Sequence, residues 1–284
     1  MDSQAVNLRS GIPTVNDVSQ LLATLTYAHY TTYNADFLKK HGEALAKYGR
    51  HWGQDPFGLW SRRYEYPFVG EKVIDYGKTL GDRSIKILDA GSGVTFFDYL
   101  ICDQLPTATV TCVDYDKSYH QMFADISANT SHQRVSFVEA ALQSLPHTTG
   151  EFDSLACLSV LEHTDNYAQI VKEFSRVIKP GGQLVLTFDL SLDGKFPLSK
   201  PQATDLLAHV AEYFTIQEID ALAELAKMDS PAGLLTTDYV KDTNPELLPW
   251  KHPLLKGMHD LVKGHGWTGG FRSKAVFCLD ARRK

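Results

Sequence analysis

The run Ile85-Lys86-Ile87-Leu88-Asp89-Ala90-Gly91-Ser92-Gly93 constrains this chain more than any other segment. It reads as a short buried strand that ends in an acid and passes straight into a Gly-x-Gly turn. After such a strand the backbone must swing sharply into a helix while passing close to a ligand, and a β-carbon would obstruct both. A second strand, Val110-Thr111-Cys112-Val113, ends in Asp114. That acid stands about twenty residues beyond the turn, where nucleotide-binding α/β folds place a carboxylate that accepts hydrogen bonds from ribose hydroxyls. The two strand-end acids predict a parallel sheet with a ribose-holding pocket at one edge.

A dinucleotide fold would satisfy that much, but two details pull away from it. The third glycine position of Gly-x-Gly-x-x-Gly is Phe96, and Asp89 sits immediately before the turn. An acid there would face a diphosphate poorly and could help hold a cationic aminoacyl group.

Residues 85 to 189 resemble the core of a class I S-adenosylmethionine-dependent methyltransferase, Rossmann-like and of the small-molecule type. Asp89, Gly91 and Gly93 match that family's acid and Gly-x-Gly-x-Gly turn, with Thr95 in place of the usual third glycine. Glu151-Phe152-Asp153-Ser154-Leu155 is similar to its fourth strand, and Glu173 to Gly182 to the helix and turn before its fifth. The resemblance implies S-adenosyl-L-methionine as cofactor, held by Asp89, Ala90, Gly91, Ser92 and Gly93, by Asp114 at the ribose and by Tyr115 against the adenine. Relatives carry an acid for the adenine amine where Ala141 stands here, which leaves adenine recognition to backbone groups of Ala141 and Leu142. Ser159, at the end of the fourth strand, emerges at the same edge.

The expected fold class is α/β: a doubly wound, seven-stranded, mostly parallel sheet with a helical N-terminal cap. Strands near 85–89, 110–114, 135–138, 152–158 and 183–188 alternate with helical patterns, which means a parallel sheet covered on both faces. Residues 1–80 form the cap or lid and 81–284 the cofactor-binding core, with 221–266 as a substrate-side cover. In the cap, Leu21-Leu22 and Leu25 suggest one apolar stripe, while Phe37, Leu38, Leu45 and Tyr48 suggest another. Trp52 to Trp60 is too rich in Gly, Pro and aromatics for regular helix, and a helix resumes around Val73 to Leu80. Asp165 is the predicted N-cap of the clearest helix, and Pro180-Gly181-Gly182 its stop. Phe271 to Leu279 reads as the closing strand, antiparallel by resemblance.

The catalytic candidate is His163, which follows the fourth strand, has the pKa range of a general base and faces the presumed substrate side. Candidate substrate contacts are Trp60, Arg63 and Tyr66 from the cap, together with Glu162. The same residues also fit structural roles: the aromatics as a seam between cap and sheet, Glu162 as a hydrogen-bond acceptor.

A net charge of -6 argues against a broad nucleic-acid surface. No apolar run is long enough to cross a membrane. The N-terminus lacks the basic and apolar regions of a signal peptide, and the four cysteines show neither metal nor redox spacing. The expected protein is therefore a cytoplasmic enzyme, monomer or homodimer, that takes a small-molecule methyl acceptor and requires no metal. It binds neither nucleic acid nor membrane. Two alternatives stay open: a nicotinamide-dependent oxidoreductase, and a non-catalytic protein that retains the adenosyl pocket.

Overall fold

The computed structural model describes residues 8–46, 55–130, 133–248 and 271–284. Expectations that fall on the extreme N-terminus, on Tyr48, on Trp52 to Gln54 and on the 249–266 part of the expected cover lie outside the described residues.

In chain order the strands are β1 (Ile85–Ala90), β2 (Ala108–Asp114), β3 (Val135–Glu139), β4 (Phe152–Leu158), β5 (Ile178–Ser191), β6 (Phe214–Ile216) and β7 (Lys274–Arg283). They form one seven-stranded sheet in the order β3-β2-β1-β4-β5-β7-β6. The pairs among β1 to β5 are parallel, and β7 runs antiparallel to both β5 and β6. Strand order reverses between β1 and β4, the switch point at which doubly wound sheets open a crevice beyond their carboxyl ends.

The pleat explains why these strands are apolar nearly throughout. Ile85 and Ile87 enter one hydrophobic core while Leu88 and Ala90 enter the other, and in β5 Val185 opposes Leu184 and Leu186 in the same way. Successive side chains point to opposite faces, so a sheet covered twice needs apolar residues on both. The first core packs under α2 (Leu25–Ala46), α3 (Arg62–Thr79), α4 (Phe97–Gln104) and α5 (Tyr119–Ala128). The second lies under α6 (Tyr167–Val177), α7 (Lys200–Tyr213) and α8 (Ala221–Ala226). Two further helices, α1 (Val15–Leu22) and α9 (Thr237–Thr243), flank the sheet.

Several local expectations change. Leu25 does not extend the stripe of Leu21: the chain breaks at Ala23-Thr24, α2 begins anew, and Leu25 is 77% exposed. Helix α3 begins at Arg62 rather than near Val73, with Pro67 inside it. Burial of Tyr64, Tyr66, Phe68 and Val69 outweighs the hydrogen bond that Pro67 cannot donate. The cap of α6 is Asn166, not Asp165, and its first turn is closed by the Asn166 carbonyl, which accepts from Gln169 and Ile170. Pairing of β5 starts at Ile178, then slips before Gln183, so Pro180-Gly181-Gly182 forms an irregularity of the strand.

The segment from 11 to 15 joins the sheet to the part of the chain expected as a cover. Gly11 exchanges backbone hydrogen bonds with Cys278 at 2.7 and 2.9 Å. Leu235 N–H donates to the Pro13 carbonyl at 2.8 Å, and Val15 N–H to that of Gly233 at 2.9 Å. Thr237 Oγ1 accepts from Lys274 N–H at 2.8 Å, which sets the start of α9 at the carboxyl edge of β5, where β7 enters. All four cysteines are buried and unbridged.

Candidate active site

The turn after β1 is built from two different demands on glycine. Gly91 has φ +76, and a β-carbon on it would lie 2.5 Å from a methyl of Val160. Gly93 has φ +56, yet a β-carbon there would meet no atom within 4 Å. The first glycine is required by protein packing, while the second borders open space at the sheet edge. The Gly91 and Ser92 N–H groups donate to the Val113 carbonyl at 2.7 and 3.2 Å, which locks the turn onto β2.

Asp114 closes this edge. Its carboxylate accepts from Gly93 N–H at 3.3 Å and Asp116 N–H at 3.2 Å. Burial raises its pKa, and those N–H groups oppose the rise. Tyr115 beside it is 76% exposed, an unusual position for a large ring on a folded surface. Ala141 is exposed and Leu142 buried, both just past β3 on the same edge. A ribose-bearing ligand fits here: an open cradle at Gly93, a half-buried acid beside it and a free aromatic face.

The wall across the switch point comes from α3, β4 and β5. Ser159 adopts φ 47 at the end of β4, a backbone region that costs a non-glycine residue about 1–3 kcal/mol and needs outside support. That support is dense. Ser159 N–H donates to the Thr187 carbonyl at 2.9 Å, and its Oγ donates to Glu65 Oε1 at 2.5 Å. Arg62 Nη1 donates to Ser159 Oγ at 2.6 Å and to Glu65 Oε2 at 2.5 Å, while Thr187 Oγ1 donates to Glu65 Oε1 at 2.6 Å. Glu65 is completely buried. Burial alone would raise its pKa, but Arg62 and the hydroxyls of Ser159, Thr187 and Ser61 hold it below the usual value. Arg62 stays charged because Glu65 leads the acids that offset its own desolvation.

Next to this network lie Glu162, His163 and Asp189. Glu162 is 4% exposed, and its Oε1 accepts from Asp189 N–H at 3.2 Å, while Oε2 has no partner among the described residues. Burial, reinforced by the Asp189 charge, pushes its pKa up to about 8. Asp189 pairs with Lys274 Nζ at 2.5 Å. His163 is exposed, on the short turn that follows β4. Partial desolvation of its ring lowers its pKa; Asp189 counters, and Lys274, Arg62 and Arg272 add to the lowering. His163 is therefore neutral at neutral pH, with a ring nitrogen able to accept a proton.

The cap residues distribute differently. Tyr66 is buried, its ring 5.2 Å from that of Phe96 and 5.5 Å from that of Phe97, which packs α3 against the far end of the glycine turn. Trp60 is buried in the first core, and its backbone N–H donates to the Leu247 carbonyl at 3.1 Å. Arg63 turns away: its Nε donates to Tyr27 Oη at 3.0 Å, beside a cavity of about 490 Å³ shared with Asn34, Asp55 and Phe57. Its neighbour Arg62 enters the site instead. Arg62, readable in the sequence as half of an exposed Arg62-Arg63 pair, is instead largely enclosed, and Glu65, Thr187, Asp189 and Lys274 were all missed in the sequence. The available signal was the i, i+3 spacing of Arg62 and Glu65, which shares a helical face only once Pro67 is allowed inside a helix. Among the described residues no group of three or more His, Cys, Asp or Glu side chains is placed to hold a metal, and no helix is long and apolar enough to cross a membrane.

Residues 88–186 match the family described as "Methyltransferase domain". The tRNA U34 carboxymethyltransferase of Campylobacter curvus is 22% identical over 220 residues, 73% of this chain and 69% of that protein. The ubiquinone biosynthesis O-methyltransferase of Pseudomonas aeruginosa is 29% identical over 119 residues, 42% of this chain, so the chain spans 44% of that relative's length. Among solved structures, the [4+2]-cyclase SpnF aligns over 96% of this chain and 98% of that chain with a TM-score of 0.49 and 19% identity, a likeness that says nothing of the reaction. With the acid and glycine turn on β1, the acid on β2 and the 3-2-1-4-5-7-6 sheet around them, residues 88–186 are a methyltransferase domain whose cofactor is S-adenosylmethionine.

Proposed function

We propose that this methyltransferase transfers its methyl group to an oxygen or nitrogen of a small-molecule acceptor. The observation that carries the reading is the cluster at the ends of β4 and β5. Neutral His163 is exposed beside buried Glu162, one of whose oxygens has no partner among the described residues and whose pKa is pushed up to about 8. When bound, S-adenosylmethionine supplies a methyl already activated by its sulfonium leaving group, so the protein must align an acceptor, exclude water and manage one acceptor proton.

Asp89, the turn from Ala90 to Gly93, Asp114, Tyr115, Ala141, Leu142 and Ser159 hold the cofactor in this reading. His163 accepts the acceptor's proton. Arg62 and Glu65 fix Ser159 and the wall beneath it. The net charge of -6 supports a small neutral or cationic acceptor over a polyanion.

The test is to incubate the purified protein with methyl-labelled S-adenosylmethionine and, separately, a small-molecule extract, bulk tRNA and bulk protein. Label in the extract alone is the expected result. Label confined to tRNA or protein would overturn the acceptor class, and no transfer to any pool would leave a cofactor-binding protein without this activity.

A further inference from the structure

Asp98 takes no part in the reading above, and its setting is costly. It lies in the first turn of α4, wholly buried beneath the glycine turn. Neither of its carboxylate oxygens has a well-formed hydrogen bond. What it faces is the Asp89 carboxyl, the Cys112 thiol of β2 and its own backbone N–H. On its own helix, Tyr99 and Cys102 feel its charge. The charge of Asp89 in turn reaches Asp114 and Cys112 on β2, Cys157 on β4 and Tyr66 on α3.

Every one of those groups is an acid or a neutral donor. Two carboxylates cannot both stay ionised in a dry pocket without a cation, so a proton must sit on one of them. Burial raises both, and for Asp89 the Asp98 charge adds to the rise. Yet Asp89, at the end of β1, is the acid that must be anionic to receive a cationic amino group.

We propose that Asp98 is a positioning residue for cofactor capture: it shares one proton with Asp89 in the free protein and keeps that proton when an ammonium group docks on Asp89. The O–H bond on Asp89 breaks, an O–H bond on Asp98 forms, and the new acid donates its hydrogen bond back to the Asp89 carboxylate. No proton crosses to solvent, so capture is insensitive to pH near neutrality. The proposal rests on the assignment of S-adenosylmethionine as cofactor.

Two measurements test it. In the cofactor-free protein, infrared spectroscopy should show the C=O stretch of a buried protonated carboxyl that disappears in Asp98→Asn, whose amide replaces the shared proton by an N–H donor. Calorimetric titration with S-adenosylhomocysteine, in buffers of different ionisation enthalpy, should show almost no proton exchange for the wild type and for Asp98→Asn. Asp98→Ala, which removes the store, should release close to one proton per ligand, its affinity falling about tenfold per pH unit on acidification. Equal proton release in wild type and Asp98→Ala would overturn the proposal, as would a carboxyl band that survives in Asp98→Asn. If the wild type binds no S-adenosylhomocysteine, the capture role and the cofactor assignment fall together, while the infrared band still decides whether a proton is shared. Thermal unfolding of both variants separates misfolding from these effects, and isosteric Asp98→Asn keeps the test available if Asp98→Ala does not fold.

Discussion

Arg62 and Ser159 stand 97 residues apart in the chain, yet Nη1 of one donates to Oγ of the other at 2.6 Å. Glu65 accepts from both, with each of its oxygens engaged. The geometry makes Glu65 the hub that holds α3 on the ends of β4 and β5. Replacing it by glutamine strands the Arg62 charge in a buried site, and breaking such a pair costs about 3–5 kcal/mol. Urea unfolding at neutral pH should show a loss of that order. Because the folded pKa of Glu65 lies below its ordinary value of 4.5, its contribution is complete above that value and disappears as pH falls through the lower folded value. Wild type and Glu65→Gln should thus converge in stability in acid, and a gap that persists there would refute the charge-pair account.

Gly91 and Gly93 should respond differently to alanine. At Gly91 the new methyl meets Val160 on top of an unfavourable positive φ. The expected cost combines about 1–2 kcal/mol of strain with about 1–3 kcal/mol of overpacking. At Gly93 only the strain applies, because no protein atom is near, but the methyl projects into the ligand space. Gly93→Ala should lose cofactor affinity with a smaller fall in melting temperature than Gly91→Ala, in which overpacking against Val160 adds to the strain. Equal melting temperatures for the two variants would show that Val160 simply gives way.

His163 and Glu162 predict distinct pH–rate profiles. If His163 takes the acceptor proton, the rate rises with pH through a value below 6.5 and is flat from neutral pH upward. If Glu162 takes it, the rate climbs through about 8. The expected profile is the first. His163→Ala should lower kcat by about 10²–10⁴ and leave cofactor affinity nearly unchanged. A profile rising through the higher value, with activity retained in His163→Ala, would transfer the role to Glu162.

Tyr115 offers a simpler check. Its ring is free in the structure and borders the predicted adenine position. Stacking on a ring adds about 0.5–1.5 kcal/mol, so Tyr115→Ala should weaken S-adenosylhomocysteine binding correspondingly in calorimetry. No change in affinity would place the adenine elsewhere.

What was legible in the sequence follows from how local each signal is. The β1 turn and Asp114 are written within single strands, because a turn beside a ligand needs glycine and a strand end needs an acid. The alternation of strands and helices carried the sheet and its double cover. The α3 network was hidden for a physical reason: Pro67 reads as a helix breaker, and without helical phase nothing shows that Arg62 and Glu65 point at the sheet while Arg63 points at Tyr27. Asp189 and Lys274 are joined only because β7 inserts antiparallel beside β5, an arrangement that no spacing in either segment records. Asp98 was overlooked because an acid after a glycine turn looks like an ordinary exposed first-turn residue, and its burial is a tertiary fact.

Residues 11 to 15 are stitched on one side to β7 and on the other to the chain around Gly233 to Leu235. That seam makes residues 11–15 and the chain from Gly233 over the sheet's carboxyl edge a single mechanical unit. Anyone exchanging acceptor preference by grafting the 221–248 region from another protein would have to move this amino-terminal strip with it, because a graft that ends at the sheet would cut hydrogen bonds whose other halves stay behind.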